Sequence, residues 1–300
     1  MYRSIIIGHD LHGGGRDALA LGRLLADASG AALVVASVIP SGSILTGFEI
    51  SWREHQATIS STIERIASEN GAEAEVLASS TPTRGLHDLA TDIGADLIIV
   101  GSSRHSRAGQ ILAGNVGLSL LGGSPTAVAI APHGYADPPE HRMITIVVGF
   151  DGSVESGRAL EAAVTLAESS QATLRLVAIA EPPPEVYAKG AADGSYRELT
   201  TAIESRRRNE LNAARDSIPS GVSVEASLIA GDPATKLAEA GAHASLLMLG
   251  SRAWGPARRV LLGSVSAPLV RKAPCPVIVE PRGDEPELIA AAGTYAEATS

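Results

Sequence analysis

The chain has 300 residues, 45% of them hydrophobic and only 3% aromatic, which suits two domains of about 140 residues whose cores are built from Ala, Val, Leu and Ile. A formal net charge of -9 argues against broad nucleic-acid binding, whose affinity comes from basic surface meeting phosphate, and against docking on anionic membranes. The single cysteine, Cys275, excludes an internal disulfide and fits a reducing compartment.

The first strand-like run, Ile5-Ile6-Ile7-Gly8-His9-Asp10, belongs to a pattern that starts at Arg3, so no leader with a charged and an apolar region is expected. No stretch of the chain approaches the roughly 18 consecutive apolar residues of a membrane span, so a soluble cytoplasmic protein is expected. Next, Gly13, Gly15 and Ala18 fit the G-x-G-x-x-A dinucleotide pattern. The second strand, however, closes on Ser37-Val38-Ile39-Pro40 without the acidic residue that NAD needs, which disfavours NAD. His12-Gly13-Gly14-Gly15 is like the oxyanion motif of esterases, but no G-x-S-x-G elbow accompanies it, and a flexible loop is expected there. His9, Asp10 and His12 sit at a strand end where neighbours diverge, so a polar loop is expected rather than a metal site.

Ala18, Leu19, Leu25 and Ala26 recur at helical spacing. Further strand-like runs follow at about 32–39, 73–78, 96–101 and 126–130. The breaker-rich stretch from Ala131 to Glu140 places a linker at 133–142 between domains 1–132 and 143–282. In the second half, strand-like runs fall at about 144–150, 173–180, 222–229, 245–250 and 276–280, and Ala159, Leu160, Ala163 and Val164 form a helical stripe. The prolines Pro182, Pro183 and Pro184 predict an extended excursion up to about Ser195, ahead of a long helix near 196–217. On that helix Arg206, Arg207 and Arg208 stand beside Glu204 and Glu210, and a solvated, ion-paired face is expected. From Gly283 onward no pattern survives, and a disordered tail is expected.

The two halves repeat one another. Gly101 recurs as Gly250, Gly114-Asn115-Val116 as Gly263-Ser264-Val265, and Ser124-Pro125 as Ala273-Pro274, all at an offset of 149 residues. Asp10 recurs as Asp151, each closing a first strand. Strands alternating with helices predict α/β domains with parallel sheets and right-handed crossovers, and ligands bind such sheets beyond the carboxyl ends of the strands. Gly250 and Gly263-Ser264-Val265-Ser266 bracket a loop there, where glycines admit backbone amides to a phosphate and a helix start offers free N–H groups. The same residues also suit plain turns, with Ser264 as a helix cap. An acid recurring at the switch point favours the ligand reading, since it can accept hydrogen bonds from a ribose or an adenine amino group. No P-loop motif occurs, so a Walker-type lysine is missing.

These motifs resemble those of the universal stress protein family, of the UspA-like kind, in tandem over nearly all of residues 1 to 283. Nucleotide-binding members of that family carry Gly, two residues, Gly, nine residues, then Gly followed by Ser or Thr. The second half keeps this spacing and departs only at Ala253. The resemblance implies two Rossmann-like or flavodoxin-like domains, each a five-stranded parallel sheet of order 3-2-1-4-5. It implies ATP, with Mg²⁺ carried by the phosphates. Asp151 and Ile179 would hold adenosine, Leu249, Gly250, Arg252 and Ala253 the ribose and first phosphate, and Gly263, Ser264, Val265 and Ser266 the outer phosphates.

The counterparts in the first half are Asp10, Val38, Val100, Gly101, Ser103, Arg104, Gly114, Asn115 and Val116. There Arg104 stands where the second glycine belongs and Asn115 where Ser or Thr belongs, so the second half ranks above the first. Arg258 and Arg259 flank the loop, with surface positions expected. By the same resemblance the fifth strands, Ala127–Ile130 and 277–280, would pair within the chain, and the resulting unit could stand alone or dimerise. The implied function is an ATP-binding stress-response regulator with at most slow hydrolysis. A nucleotide-free interaction module with decayed sites, and an enzyme acting at the α-phosphate, are the alternatives, and the protein partner is left open.

Overall fold

The computed structural model describes residues 2–40, 49–102, 115–137, 140–182, 195–251 and 263–281. In the first half β1 (Ser4–Gly8), α1 (Gly13–Ser29), β2 (Ala32–Pro40), α2 (Glu49–Glu69), β3 (Glu73–Ser79), α3 (Pro82–Ile93), β4 (Leu97–Gly101), α4 (Asn115–Leu120) and β5 (Ala127–Ala131) follow in order. The second half repeats them as β6 (Thr145–Phe150), α5 (Val154–Ser170), β7 (Thr173–Ala180), α6 (Ser195–Asp216), β8 (Val224–Ala230), α7 (Pro233–Gly241), β9 (Leu246–Gly250), α8 (Ser266–Lys272) and β10 (Val277–Glu280). Both the excursion expected after Pro182 and the tail from Gly283 fall on residues outside those described.

Local signals set the helix limits. Thr81 accepts a hydrogen bond from the Arg84 amide ahead of Pro82, and Asp232 accepts one from the Thr235 amide ahead of Pro233, so α3 and α7 start alike. Helix α1 ends on Gly30 at φ 71° and α3 on Gly94 at φ 63°, both in the left-handed region that closes helices.

All ten strands share one sheet of order β3-β2-β1-β4-β5-β10-β9-β6-β7-β8. Within each half the pairing is parallel, and the halves join through antiparallel β5 and β10, with Val277 opposite Ile130, Ile278 opposite Ala129 and Val279 opposite Val128. Ala127–Ala131 and 277–279 are apolar and buried, and the seam covers two edges that would otherwise template aggregation. Antiparallel joining also means that the carboxyl ends of the second-half strands lie beside the amino ends of the first-half strands. Side-chain alternation sends Ile5 and Ile7 to one face under α1, α2, α5 and α6, and Ile6 to the other under α3, α4, α7 and α8. No helix among the described residues is long and apolar enough to cross a membrane.

Gly13-Gly14-Gly15 is not the flexible loop expected from the sequence. It forms the first turn of α1, and Gly14 and Gly15 are packing positions. A side-chain carbon at Gly15 would lie 2.7 Å from the buried His9 ring, and one at Gly14 would lie 3.3 Å from the Ser102 carbonyl oxygen. His9 is held neutral: burial lowers its pKa against the pull of Asp10, and its Nδ1 accepts from the Leu11 amide.

The segment after β5 is latched to α1. Asp17 is buried and accepts hydrogen bonds from the Gly134 and Ala136 amides, both at 2.9 Å, while Tyr135 stacks on His141. Removing a carboxylate that holds two amides strands both donors, so Asp17→Ala is expected to lower the unfolding free energy by about 2 kcal/mol. Urea titration of the full chain checks this, and an unchanged midpoint would mean that the segment after β5 is not anchored there.

Candidate functional site: a hollow at the carboxyl ends of the second-half strands

Strand β6 lies between β7 and β9, so its carboxyl end is where the chain direction of the crossovers switches. A cavity of about 600 Å³ opens there. Its apolar lining comes from Val177 and Ile179 of β7, Leu237 of α7 and Leu249 of β9. Its polar lining comes from Asp151 and Ser153 ahead of α5, Ser156 in its first turn, and Gly263, Ser264 and Ser266 at the start of α8. Such a mixed surface suits a ligand with a flat apolar part and a polar or charged tail.

Asp151 follows β6 directly. Its Oδ1 accepts from the Ser153 amide at 3.0 Å and from the Ser153 hydroxyl at 2.5 Å. Desolvation opposes its ionisation, but these bonds, the nearby Ser156 hydroxyl and the Arg207 charge outweigh it and leave the carboxyl below its ordinary range. It is therefore an anion at neutral pH, able to accept further hydrogen bonds. Gly152, next in the turn, has φ 79°, and the Glu210 carboxylate fills the space beside it. The equivalent turn in the first half puts Leu11 at φ 59°.

Gly250 has a role that the sequence reading did not assign. A side-chain carbon there would sit 2.5 Å from the carbonyl carbon of Glu155, inside the first turn of α5, and the same contact recurs in the first half, where one at Gly101 would sit 2.1 Å from the Gly14 oxygen. Both glycines let the first helix of their half lie directly on the end of β4 or β9. At the other side of the loop, the Ser266 hydroxyl accepts from the Gly263 amide at 2.8 Å. The residue before α8 is Val265, with no side-chain cap, and Ser264 is exposed one position earlier. Ser264 therefore does not cap the helix as expected, because α8 starts two residues beyond it.

The hollow thus gathers Asp151, Ile179, Leu249, Gly250, Gly263, Ser264, Val265 and Ser266. Arg252 and Ala253, with Arg258 and Arg259, lie outside the described residues. In the first half Asp10 turns its Oδ1 onto its own helix start and accepts from the His12 and Gly15 amides at 2.9 and 2.8 Å. Val38 packs against Gly85, Val100 is buried, and Val116 is partly buried in α4. Ser103, Arg104 and Gly114 lie outside the described residues, as does the side chain of Asn115.

Several lining residues escaped the sequence reading. Ser153, Ser156, Glu181, Ile203, Arg206 and Arg207 all border the cavity. Arg206 fits the expected solvated face, with a side chain 73% exposed and paired to Glu210, but Arg207 is only 28% exposed and donates to the Asp151 carbonyl oxygen. The missed signal was helical phase: Ile203 and Arg207, four apart, share the face of α6 turned to the sheet.

The model of the universal stress protein family matches this chain at residues 1–132 and 143–281. A universal stress protein of Thermus aquaticus is 30% identical over 137 residues, which cover 45% of this chain and 96% of that protein. One of Mycobacterium bovis is 32% identical over 143 residues, covering 45% of this chain and 46% of that protein, so the match spans about half of the relative's length. Among solved structures, a universal stress protein from Archaeoglobus fulgidus superposes with a TM-score of 0.65 at 21% identity, over 93% of this chain and 98% of that one, a likeness of fold.

Proposed function

The chain belongs to the universal stress protein family, and we propose that it is a cytoplasmic stress-response regulator whose second half binds ATP in the hollow at the β6 switch point. The observation that carries this reading is convergence: Asp151, Ile179, Leu249, Gly250 and Gly263 to Ser266, scattered over more than a hundred positions, border one cavity. Its volume of about 600 Å³ lies within the range of small-molecule sites.

In this reading the adenine lies on Ile179 and Leu249, with Asp151 accepting from its amino group or from the ribose. The amides of the Gly263 to Ser266 segment and the exposed Ser264 hydroxyl take the outer phosphates, and Mg²⁺ comes with those phosphates. Asp151 stands at the adenosine end, away from the terminal phosphate, so at most slow hydrolysis is assigned. Nucleotide occupancy regulates the protein only through different affinities for two of its states. The domains are assigned to 1–132 and 143–282, and the first-half site ranks second. One observation favours a nucleotide-free interaction module instead: the packing of Gly250 on α5 explains that glycine without a phosphate.

Native mass spectrometry of the full chain with added ATP tests the reading. One ATP bound per chain is expected, and Asp151→Ala and Gly263→Val are each expected to weaken ATP about tenfold, about 1.4 kcal/mol, with the chain still folded. No adduct at any ATP concentration would favour the interaction module, and release of AMP or pyrophosphate would favour an enzyme acting at the α-phosphate.

A further inference from the structure

The α6 wall of the cavity carries two guanidinium groups on a single carboxylate. Arg206 Nε lies 2.8 Å from Glu210 Oε1 and Arg207 Nη1 lies 3.2 Å from Glu210 Oε2. Arg207 also donates to the Asp151 carbonyl oxygen. Among the described residues that line the cavity, Arg206 and Arg207 are the only cations, against the carboxylates of Asp151 and Glu181. Without its two arginines this described lining would present only negative charge to an anionic ligand. One carboxylate shared between two guanidiniums satisfies neither fully, and each keeps N–H donors for a second partner.

We propose that Arg206 and Arg207 are the charge-selecting residues of this site: on binding, they share their donors between Glu210 and the phosphate next to the ribose, and so favour the phosphorylated nucleotides over adenosine. The inference rests on the nucleotide reading above and adds which part of the ligand α6 recognises. Planar guanidinium forks match phosphate oxygens in pairs, and these bonds between full charges are stronger than neutral ones. Glu210 holds both guanidiniums by ion pairs before the ligand arrives, which limits the side-chain entropy lost on binding.

Calorimetric titration of the full chain with ATP, ADP, AMP and adenosine, at two salt concentrations, tests this. For Arg206→Gln and Arg207→Gln the expected result is about a tenfold loss of ATP affinity with adenosine affinity unchanged within about twofold, and a shallower salt dependence for ATP. Arg206 is exposed and makes no bond to Asp151, so its variant separates charge from any disturbance of the turn. Equal losses for ATP and adenosine, or no loss for either, would overturn the assignment while leaving the site in place. A wild-type chain that binds none of the four would overturn the site itself.

Discussion

Replacing Gly250 by alanine is expected to destabilise the chain by about 3 kcal/mol or more, and Gly101→Ala at least as much. The clash is with backbone on both counts: an added carbon would lie 2.5 Å from the Glu155 carbonyl carbon in one case and 2.1 Å from the Gly14 carbonyl oxygen in the other. Neither contact can be relieved by rotating a side chain. The first helix of the affected half would have to lift from the sheet, uncovering apolar residues such as Ala159 and Ala163 under α5, or Ala18 and Leu21 under α1, all fully buried. Gly157→Ala is the control. It lies inside α5 with nothing within 4 Å of an added carbon, so it is expected to be neutral or to stabilise by up to about 1 kcal/mol through helix propensity. Urea unfolding of the three variants measures the difference, and a Gly250→Ala chain as stable as wild type would show that α5 does not rest on β9 at that point.

The second large effect concerns pH and the end of β10. Glu280 is packed beneath Tyr2, whose hydroxyl donates to it, with Arg158 of α5 and Asp96 ahead of β4 nearby. Burial raises the Glu280 carboxyl to about 7, and the opposing pull of Tyr2 and Arg158 does not reverse it. Tyr2 is raised well above its ordinary value by the same burial and the adjacent carboxyl, and it stays protonated. An acid whose pKa is higher in the folded chain than in the unfolded one keeps its proton longest when folded. Its contribution to stability is therefore fully present below the ordinary carboxylate range, falls as pH rises through about 7, and is flat above. The shift corresponds to about 3 kcal/mol across that window. Glu280→Gln keeps a partner for the Tyr2 hydroxyl and removes the titration. The expected result is a variant whose advantage over wild type grows from pH 5 to about pH 7 and is level above, read by urea midpoints at each pH. Parallel pH profiles would contradict it.

The Glu280 carbonyl accepts from the Ser251 amide at 2.9 Å, so this titrating residue also pins the start of the loop that follows Gly250. The second-half hollow and the seam between the halves are thereby joined through one strand end.

Much of this architecture was legible from the chain alone. Aliphatic runs such as Leu97–Gly101 and Leu246–Gly250 announce fully buried parallel strands, and the repeat fixes which strands correspond. The seam between 127–130 and 277–279 was legible as well, although only through family resemblance, since nothing in a strand's sequence names its partner. What the sequence hid is side-chain and backbone proximity across long separations. Gly250 reads as a phosphate-loop glycine or a turn glycine until Glu155 is seen beside it. Gly13 to Gly15 reads as a loose loop until the His9 ring is seen to need the room beside Gly15. Arg207 is one of three consecutive arginines, and only the phase of α6 against the sheet singles it out from the exposed Arg208. Ser264 reads as a cap because serine before a helix is common, and the start of α8 at Ser266 removes that role.

The central claim is that the hollow bordered by Asp151, Ile179 and Gly263 is shaped for an adenine nucleotide. A crystal of the full chain grown or soaked with millimolar ATP tests it most directly. The account predicts adenine density against Ile179 and Leu249, with the phosphates at Gly263 to Ser266. Density for ATP elsewhere on the chain, or a hollow filled by protein atoms with no nucleotide bound, would contradict it.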